Sequence, residues 1–384
     1  MPSLCNHVLR RPPNGLIRSA FIGLGLLVTG AAFNQGAASS VQVDQASKAE
    51  VSAEDGSFIQ GMTISCQTWG WEWGTDGFGE ELDALQAMGV NWIAIHPYGG
   101  LREDGSISYR AFDSQESSEI DAAPTWLTRP IREAKARGMG IMIKPHIAYW
   151  GSPFSWRGEI TFGDAEADAR FWASYRKWIL DLASVCADAD AFIVGTELEL
   201  QLHRDAEWRK LIRDVRAVTD ANLSYCSNWD SFERVPFWDD LDAIGVQAYF
   251  PVQPSNVEPG GIPAARDIRA AWEPWLARLK KTSEATGKNV FFGELGYDRV
   301  ESAAARPWEG VSRTRPSSKK GELLQERCLN VAFEVMETNK DWLRGAFLWK
   351  WFVGSARYAN FELAREETRE IIKKGWGQVT IPAK

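Results

Sequence analysis

The chain has 384 residues, 45% of them hydrophobic and 24% charged, which is enough to bury a large core and far from a disordered composition. A formal net charge of −8 argues against nucleic acid as a partner, because that calls for a basic surface. The five cysteines are scattered without close pairs, which excludes a disulfide scaffold and a zinc ribbon.

The amino-terminal stretch reads as an export segment. Arg10, Arg11 and Arg18 precede or flank an apolar run from Ala20 to Val28, and small residues follow from Gly30 to Ser40. Basic, then apolar, then small is the secretory pattern, and the apolar run is short for a membrane span. The expected organisation is a signal segment over residues 1–40, a small polar linker over 41–60 and a catalytic domain over 61–384. This predicts a secreted or periplasmic protein with no membrane span in the mature chain; an uncleaved anchor is the second reading.

From Gly61 the pattern repeats strand, loop, helix. The predicted pairs are Gly61–Gln67 with Gly79–Met88, Val90–Tyr98 with Thr125–Arg137, Met139–His146 with Asp164–Ala187, and Ala191–Glu197 with Asp205–Thr219. They continue as Leu223–Trp229 with a short helical piece around Val235–Leu241, Asp242–Phe250 with Ala264–Thr286, Val290–Tyr297 with Gly321–Asn339, and Leu343–Phe352 with Leu363–Lys374. Gly89, Gly138 and Gly287 follow helix ends, as carboxyl-terminal caps do. Eight alternations with apolar strands predict a single-domain α/β fold, a closed (β/α)8 TIM barrel. No glycine-rich phosphate turn follows the first strand, which weighs against a doubly wound sheet. The long loops follow strands rather than helices, so one end of the barrel is elaborated, and such ends carry active sites.

Each strand hands something polar or aromatic to that end. The runs AFIVGTE and VFFGE each emerge from a buried strand on a glutamate, Glu197 and Glu294. In an eight-strand ring the fourth and seventh strands face each other across the mouth. Nineteen tryptophans fit either a large core or stacking against sugar rings. Trp172, Trp178, Trp208 and Trp275 fall on predicted helices and read as packing. Trp69, Trp71, Trp73, Trp150, Trp229, Trp349 and Trp351 fall at the elaborated end; alternation lets only one of Trp349 and Trp351 point inward, and Trp349 is the expected one. Two carboxyls across an aromatic cleft suit glycoside hydrolysis, in which one protonates the leaving oxygen and the other attacks the anomeric carbon.

GTELE after the fourth strand, GELGY on the seventh, WKW on the eighth and the WRGEI loop after the third together resemble glycoside hydrolase family 113, over about Gly61 to Gly375. The resemblance implies a retaining β-mannanase-like enzyme with Glu197 as acid/base and Glu294 as nucleophile, acting on β-1,4-mannan or manno-oligosaccharides. Asn228, Tyr249 and Trp349 resemble the supporting residues of the wider clan. Thr196 departs from that clan, which places asparagine before the acid/base to touch the sugar 2-hydroxyl. Another donor, His96 or Asn228, is then expected to reach it. The expected substrate contacts are Trp71, His96, Lys144, His146, Thr196, Asn228, Trp229, Gln247, Tyr249 and Trp349.

Other readings stay open on the residues alone: a β-glucanase or galactanase of the same fold, or a glycan-binding barrel without activity. His96 and His146 do not form a His-x-His pair, so neither a metal nor another cofactor is expected. Glu199, two residues past Glu197, reads as supporting rather than catalytic. Nothing in the sequence signals oligomerisation, so a monomer is expected.

Overall fold

The computed structural model describes residues 58–109, 124–255, 257, 261–356 and 360–379. The expected export segment and all but the end of the linker lie outside the described residues. So does Cys5.

The described residues open with β1 (Ile59–Ser65) and α1 (Asp76–Gln86), then β2 (Trp92–Ile95). Two short strands follow, β3 (Tyr98–Leu101) and β4 (Ile107–Ser108), before α2 (Thr125–Ala136), β5 (Gly140–Ile143), β6 (His146–Ala148) and α3 (Ala165–Val185). Next come β7 (Ala191–Thr196), α4 (Asp205–Arg216), β8 (Asn222–Asn228) and β9 (Ala243–Gln247). The chain closes with α5 (Ala265–Thr286), β10 (Val290–Leu295), α6 (Lys319–Thr338), β11 (Leu343–Phe352) and α7 (Glu366–Val379). Eight of the strands form a closed parallel barrel in the order β1-β11-β10-β9-β8-β7-β5-β2. The fold is therefore the TIM barrel expected from the alternation.

The elements depart from the expected ones in two respects, and the first has a plain physical cause. The second and third strands each break where a single run was expected, at Pro97 and Pro145, because proline has no amide hydrogen for the ladder. Beyond those breaks the chain starts a separate sheet, β4-β3-β6, over the barrel mouth. His96 and Lys144, each just before a proline, are thereby left at the rim of the barrel. Between β8 and β9 the connection is made by two 3-10 turns, Phe232–Arg234 and Trp238–Asp240, the second falling within the short helical piece expected around Val235–Leu241. Helix starts also moved: α1 begins at Asp76, three residues before the expected Gly79, and α7 begins at Glu366.

The barrel interior is filled rather than hollow. Ala94, Met142, Ile193, Cys226, Phe291 and Phe347 pack together inside it, as the side-chain layers of such barrels do. A larger apolar cluster lies between the strands and the helices and includes Trp172, Trp178 and Trp208, which the sequence assigned to packing. The three cap glycines take left-handed backbone, φ 87° at Gly89, 66° at Gly138 and 67° at Gly287. Cys186, Cys226 and Cys328 are buried free thiols, and Cys66 is partly exposed. Among the described residues no helix is long and apolar enough to cross a membrane.

Candidate active site

The filled interior ends in a polar floor built around Glu294, the second-last residue of β10. Gly293 lies so close to β8 that a Cβ there would sit 2.4 Å from Cys226 Sγ, so only glycine fits. Its bare carbonyl accepts a hydrogen bond from Lys144 Nζ at 2.9 Å, and the same ammonium donates to Glu294 Oε1 at 2.6 Å. Tyr249, just past β9, donates its hydroxyl to Glu294 Oε2 at 2.5 Å. Burial, with Glu294 beside it, pushes the Tyr249 phenol well above its ordinary range, so the proton stays on the donor. Glu294 is thus a buried carboxylate with a cation on one oxygen and a phenol on the other.

Glu197 ends its strand in different surroundings. Its backbone is left-handed, φ 54°, which is rare outside glycine. The turn is held by its own amide donating to Cys226 O at 2.9 Å and by the Leu198 amide donating to Tyr225 Oη at 2.7 Å. Two side chains from the loop after β6 meet its Oε2: Arg157 Nη1 at 3.1 Å and Trp156 Nε1 at 3.4 Å. Burial raises the Glu197 carboxyl above the usual range; Arg157 opposes this and the charge of Glu294 adds to it. Two carboxyls in one cleft, one held on both oxygens by an ammonium and a phenol and the other raised by burial despite a guanidinium at one oxygen, is the arrangement that separates a nucleophile from an acid.

A ring-stacked wall stands beside them. His96 and His146 stack at 5.0 Å between centroids, and Trp349 lies 5.3 Å from His96 and 6.0 Å from His146. Burial, with Lys144 and Arg157 near, drives both imidazoles well below their ordinary range, so both are neutral. His96 Nε2 pairs with Ser65 Oγ at 3.0 Å. His146 Nε2 is buried, lies 3.5 Å from Glu294 Oε1 and has no hydrogen-bond partner among the described residues. Trp349 does face the site, whereas Trp351 turns outward and donates to Glu81 Oε2 at 2.7 Å.

The remaining expected contacts spread over the mouth and the layer beneath it. Trp71 is 44% exposed at the rim after β1, with Trp69 and Trp150 also exposed. Trp73 is fully buried and packs its edge on His96, 5.8 Å between centroids, so it supports the wall from behind. Trp229 stacks on Trp308 at 5.6 Å and 7°, forming an aromatic step after β8, the barrel strand opposite β1. Asn228 donates to Asp230 Oδ1 at 2.8 Å. Thr196 is buried, with a hydroxyl that has no partner among the described residues. Gln247 pairs in register with Glu294 and is shut from solvent beneath it. Lys144 is likewise shut from solvent, so its geometry is that of a prop for Glu294 more than of a sugar contact. Glu199 is paired with Arg234 at 3.1 Å.

Sequence reasoning missed Trp156 and Arg157 as partners of Glu197, although WRGEI had been noticed as a motif. It also missed Trp308; Lys350, which the WKW run places at the end of the eighth strand, has its ammonium 5.0 Å from the Trp349 ring centroid. Burial pushes Lys350 down to about 8. Among the described residues no cluster of three or more His, Cys, Asp or Glu is arranged to hold a metal ion.

Comparison with known proteins adds to this geometry. The sequence profile of Glycoside Hydrolase Family 113 matches residues 62–373. The GH113 β-mannanase AaManA from Alicyclobacillus acidocaldarius, solved with ManMIm, superposes with a TM-score of 0.70 at 24% identity, over 86% of this chain and 100% of its own. A GH113 β-1,4-mannanase gives 0.67 at 20% identity, over 84% and 99%. A glycoside hydrolase family 5 mannosidase from Rhizomucor miehei gives 0.51 at 11% identity, over 84% and 93%. At such identities the structural likeness speaks for the fold. No curated protein matches the sequence.

Proposed function

We propose that this chain, which belongs to glycoside hydrolase family 113, cleaves β-1,4-linked mannan or manno-oligosaccharides with retention of anomeric configuration. The observation that carries the reading is the unlike setting of the two carboxyls. Glu294 is held by Lys144 on one oxygen and Tyr249 on the other, while Glu197 has donors at Oε2 and its carboxyl is raised by burial against the opposing Arg157.

In the first step Glu197 gives its proton to the glycosidic oxygen as Glu294 attacks the anomeric carbon and forms a glycosyl-enzyme. The Tyr249 hydroxyl and Lys144 ammonium hold the attacking carboxylate without competing for its place, since both come from its flanks. In the second step Glu197 takes a proton from water, which displaces Glu294 from the same carbon. Trp349 offers a flat face for the sugar, and the neutral imidazoles offer hydrogen bonds without adding charge. Thr196 is too short to repeat the clan's asparagine contact. Nδ1 of His96 and Nε2 of His146 are both unpartnered among the described residues, and the latter lies 3.5 Å from Glu294 Oε1, beside the attacking carboxylate, so His146 is the donor assigned to the 2-hydroxyl.

β-Mannan is favoured over β-glucan and β-galactan on the family assignment, with structural likeness to solved β-mannanases in support. Reducing-end release from the three polysaccharides by wild type and Glu294→Ala tests both substrate and nucleophile. Wild type acting on mannan, with no activity in the variant, is expected; activity surviving Glu294→Ala would reject the nucleophile. An NMR time course showing first release of the α-anomer would reject retention. The basic–apolar–small pattern of residues 1–40 supports export, checked by sequencing the amino terminus of secreted protein.

A further inference from the structure

Arg157 and Trp156 arrive at Glu197 on a loop that is built rather than draped. Gln201, fully buried just after Glu197, donates to Ile160 O at 3.0 Å and accepts from Trp172 Nε1 at 3.1 Å, which ties the loop to the very turn that carries Glu197. Glu159 accepts from the Ser155 amide at 3.0 Å and its hydroxyl at 2.7 Å. A Cβ at position 158 would lie 2.2 Å from the Trp156 ring, so Gly158 is what lets the indole lie flat along the loop. Arg157 is further backed by Tyr149, its guanidinium 6.0 Å from that ring.

Both donors meet the same carboxyl oxygen, Oε2. An oxygen that accepts an arginine N–H and an indole N–H is a poor place for a proton, because neither donor can accept one in return. We propose that Arg157 and Trp156 are positioning residues that keep the Glu197 proton on Oε1, turning that oxygen toward the glycosidic oxygen and later toward water. This rests on Glu197 being the acid/base. In glycosylation the proton on Oε1 moves to the leaving oxygen, the C1–O bond breaks and a C1–O bond to Glu294 forms. In deglycosylation Oε1 takes a proton from water, the water oxygen bonds to C1 and Glu294 leaves. The guanidinium favours the charged carboxylate, which is the form needed at the start of the second step. Deglycosylation is therefore the step that depends on it more.

Arg157 is not alone in setting the ionisation of Glu197. Glu294 from β10 and Lys144 just past β5 also act on this carboxyl, whose charge in turn raises Tyr249 after β9 and Tyr225 and Cys226 on β8. The glutamate raises it and the lysine lowers it, so removing Arg157 leaves burial and Glu294 less opposed.

The test compares wild type, Arg157→Gln, Arg157→Lys, Trp156→Phe and Glu197→Gln on two probes. One is mannotetraose, with a poor leaving group; the other is a 2,4-dinitrophenyl β-mannobioside, whose leaving group needs no proton. With the aryl probe, Arg157→Gln should keep its burst rate within about threefold, while its steady-state rate falls about 10- to 100-fold, the worth of one charge-assisted hydrogen bond. With mannotetraose the alkaline limb of kcat/KM should move to higher pH. Arg157→Lys, which keeps the charge, should leave that limb nearer wild type, and Trp156→Phe should show a smaller loss of the same kind. An unmoved limb with unchanged steady-state rate overturns the proposal, as does an equal loss in burst and steady state, the mark of general damage. If Glu197→Gln matches wild type on mannotetraose, the acid/base assignment itself has failed, whatever Arg157 does.

Discussion

Replacing Lys144 by methionine removes one charge from the floor of the site while keeping most of the buried stem. Lys144 has no exposed side-chain surface and Glu294 only 6%, and they meet at 2.6 Å. Breaking a buried pair from one side leaves the other charge uncompensated, at a cost of about 3–5 kcal/mol. The Gly293 carbonyl loses its 2.9 Å donor as well, and an unsatisfied buried acceptor costs about 1–3 kcal/mol, part of which is already in the first figure. A loss of about 4 kcal/mol is therefore expected for Lys144→Met, read as a lower urea midpoint at unchanged slope. The double variant Lys144→Met/Glu294→Leu removes both charges, and replacing a whole buried pair is close to neutral or stabilising. It should recover at least half of the loss, while both variants lose hydrolysis of mannan. A Lys144→Met protein within about 1 kcal/mol of wild type would refute the claim that the ammonium is spent on Glu294. So would a double variant as unstable as the sum of its singles.

Two further outcomes follow from the same floor and wall. Tyr249→Phe deletes the 2.5 Å donor to Glu294 Oε2 and should lower kcat/KM on mannotetraose about 10- to 100-fold, the range for a hydrogen bond to a charged group, with folding intact by circular dichroism. Lys350 titrates near 8 in the fold against an ordinary value of 10.5. The unfolded chain therefore holds that proton more tightly. The penalty is complete below pH 8 and is relieved as pH rises toward 10.5. Lys350→Met should be more stable than wild type at pH 7 in denaturant titrations, by up to about 3 kcal/mol, and the gap should narrow between pH 8 and 10.5. A gap that does not change with pH would contradict the assignment.

The barrel was legible because each of its strands is an apolar run that ends in turn chemistry, and β11 was read to the residue. Glu197 and Glu294 stood out as acids directly after such runs, where a core residue would have been cheaper. The strand breaks at Pro97 and Pro145 went unread because the apolar runs WIAI and IMI lead straight into HPY and KPH, where a polar strand end was expected, and periodicity ran past a missing hydrogen-bond donor. Lys144 could be placed at the mouth but not given its partner. Glu294 lies on β10, directly opposite β5 and four places round the ring either way, and only closure of the barrel brings the two together. Arg157 was hidden for a related reason. Its contact depends on how a loop of irregular backbone folds back over β7, and no periodicity governs that.

The left-handed backbone at Glu197 bears on how an inactive form of this enzyme should be made. Alanine is the habitual choice for trapping a substrate complex, yet at φ 54° a Cβ carries a strain of about 1–2 kcal/mol that alanine retains in full. Glycine sheds it, and asparagine or aspartate tolerate the conformation better than most residues with a side chain. Valine, isoleucine or threonine would crowd it further. The order of merit at this position is set by the peptide rather than by the carboxyl, so a residue chosen for its chemistry is also tied to its neighbours by the shape of the main chain.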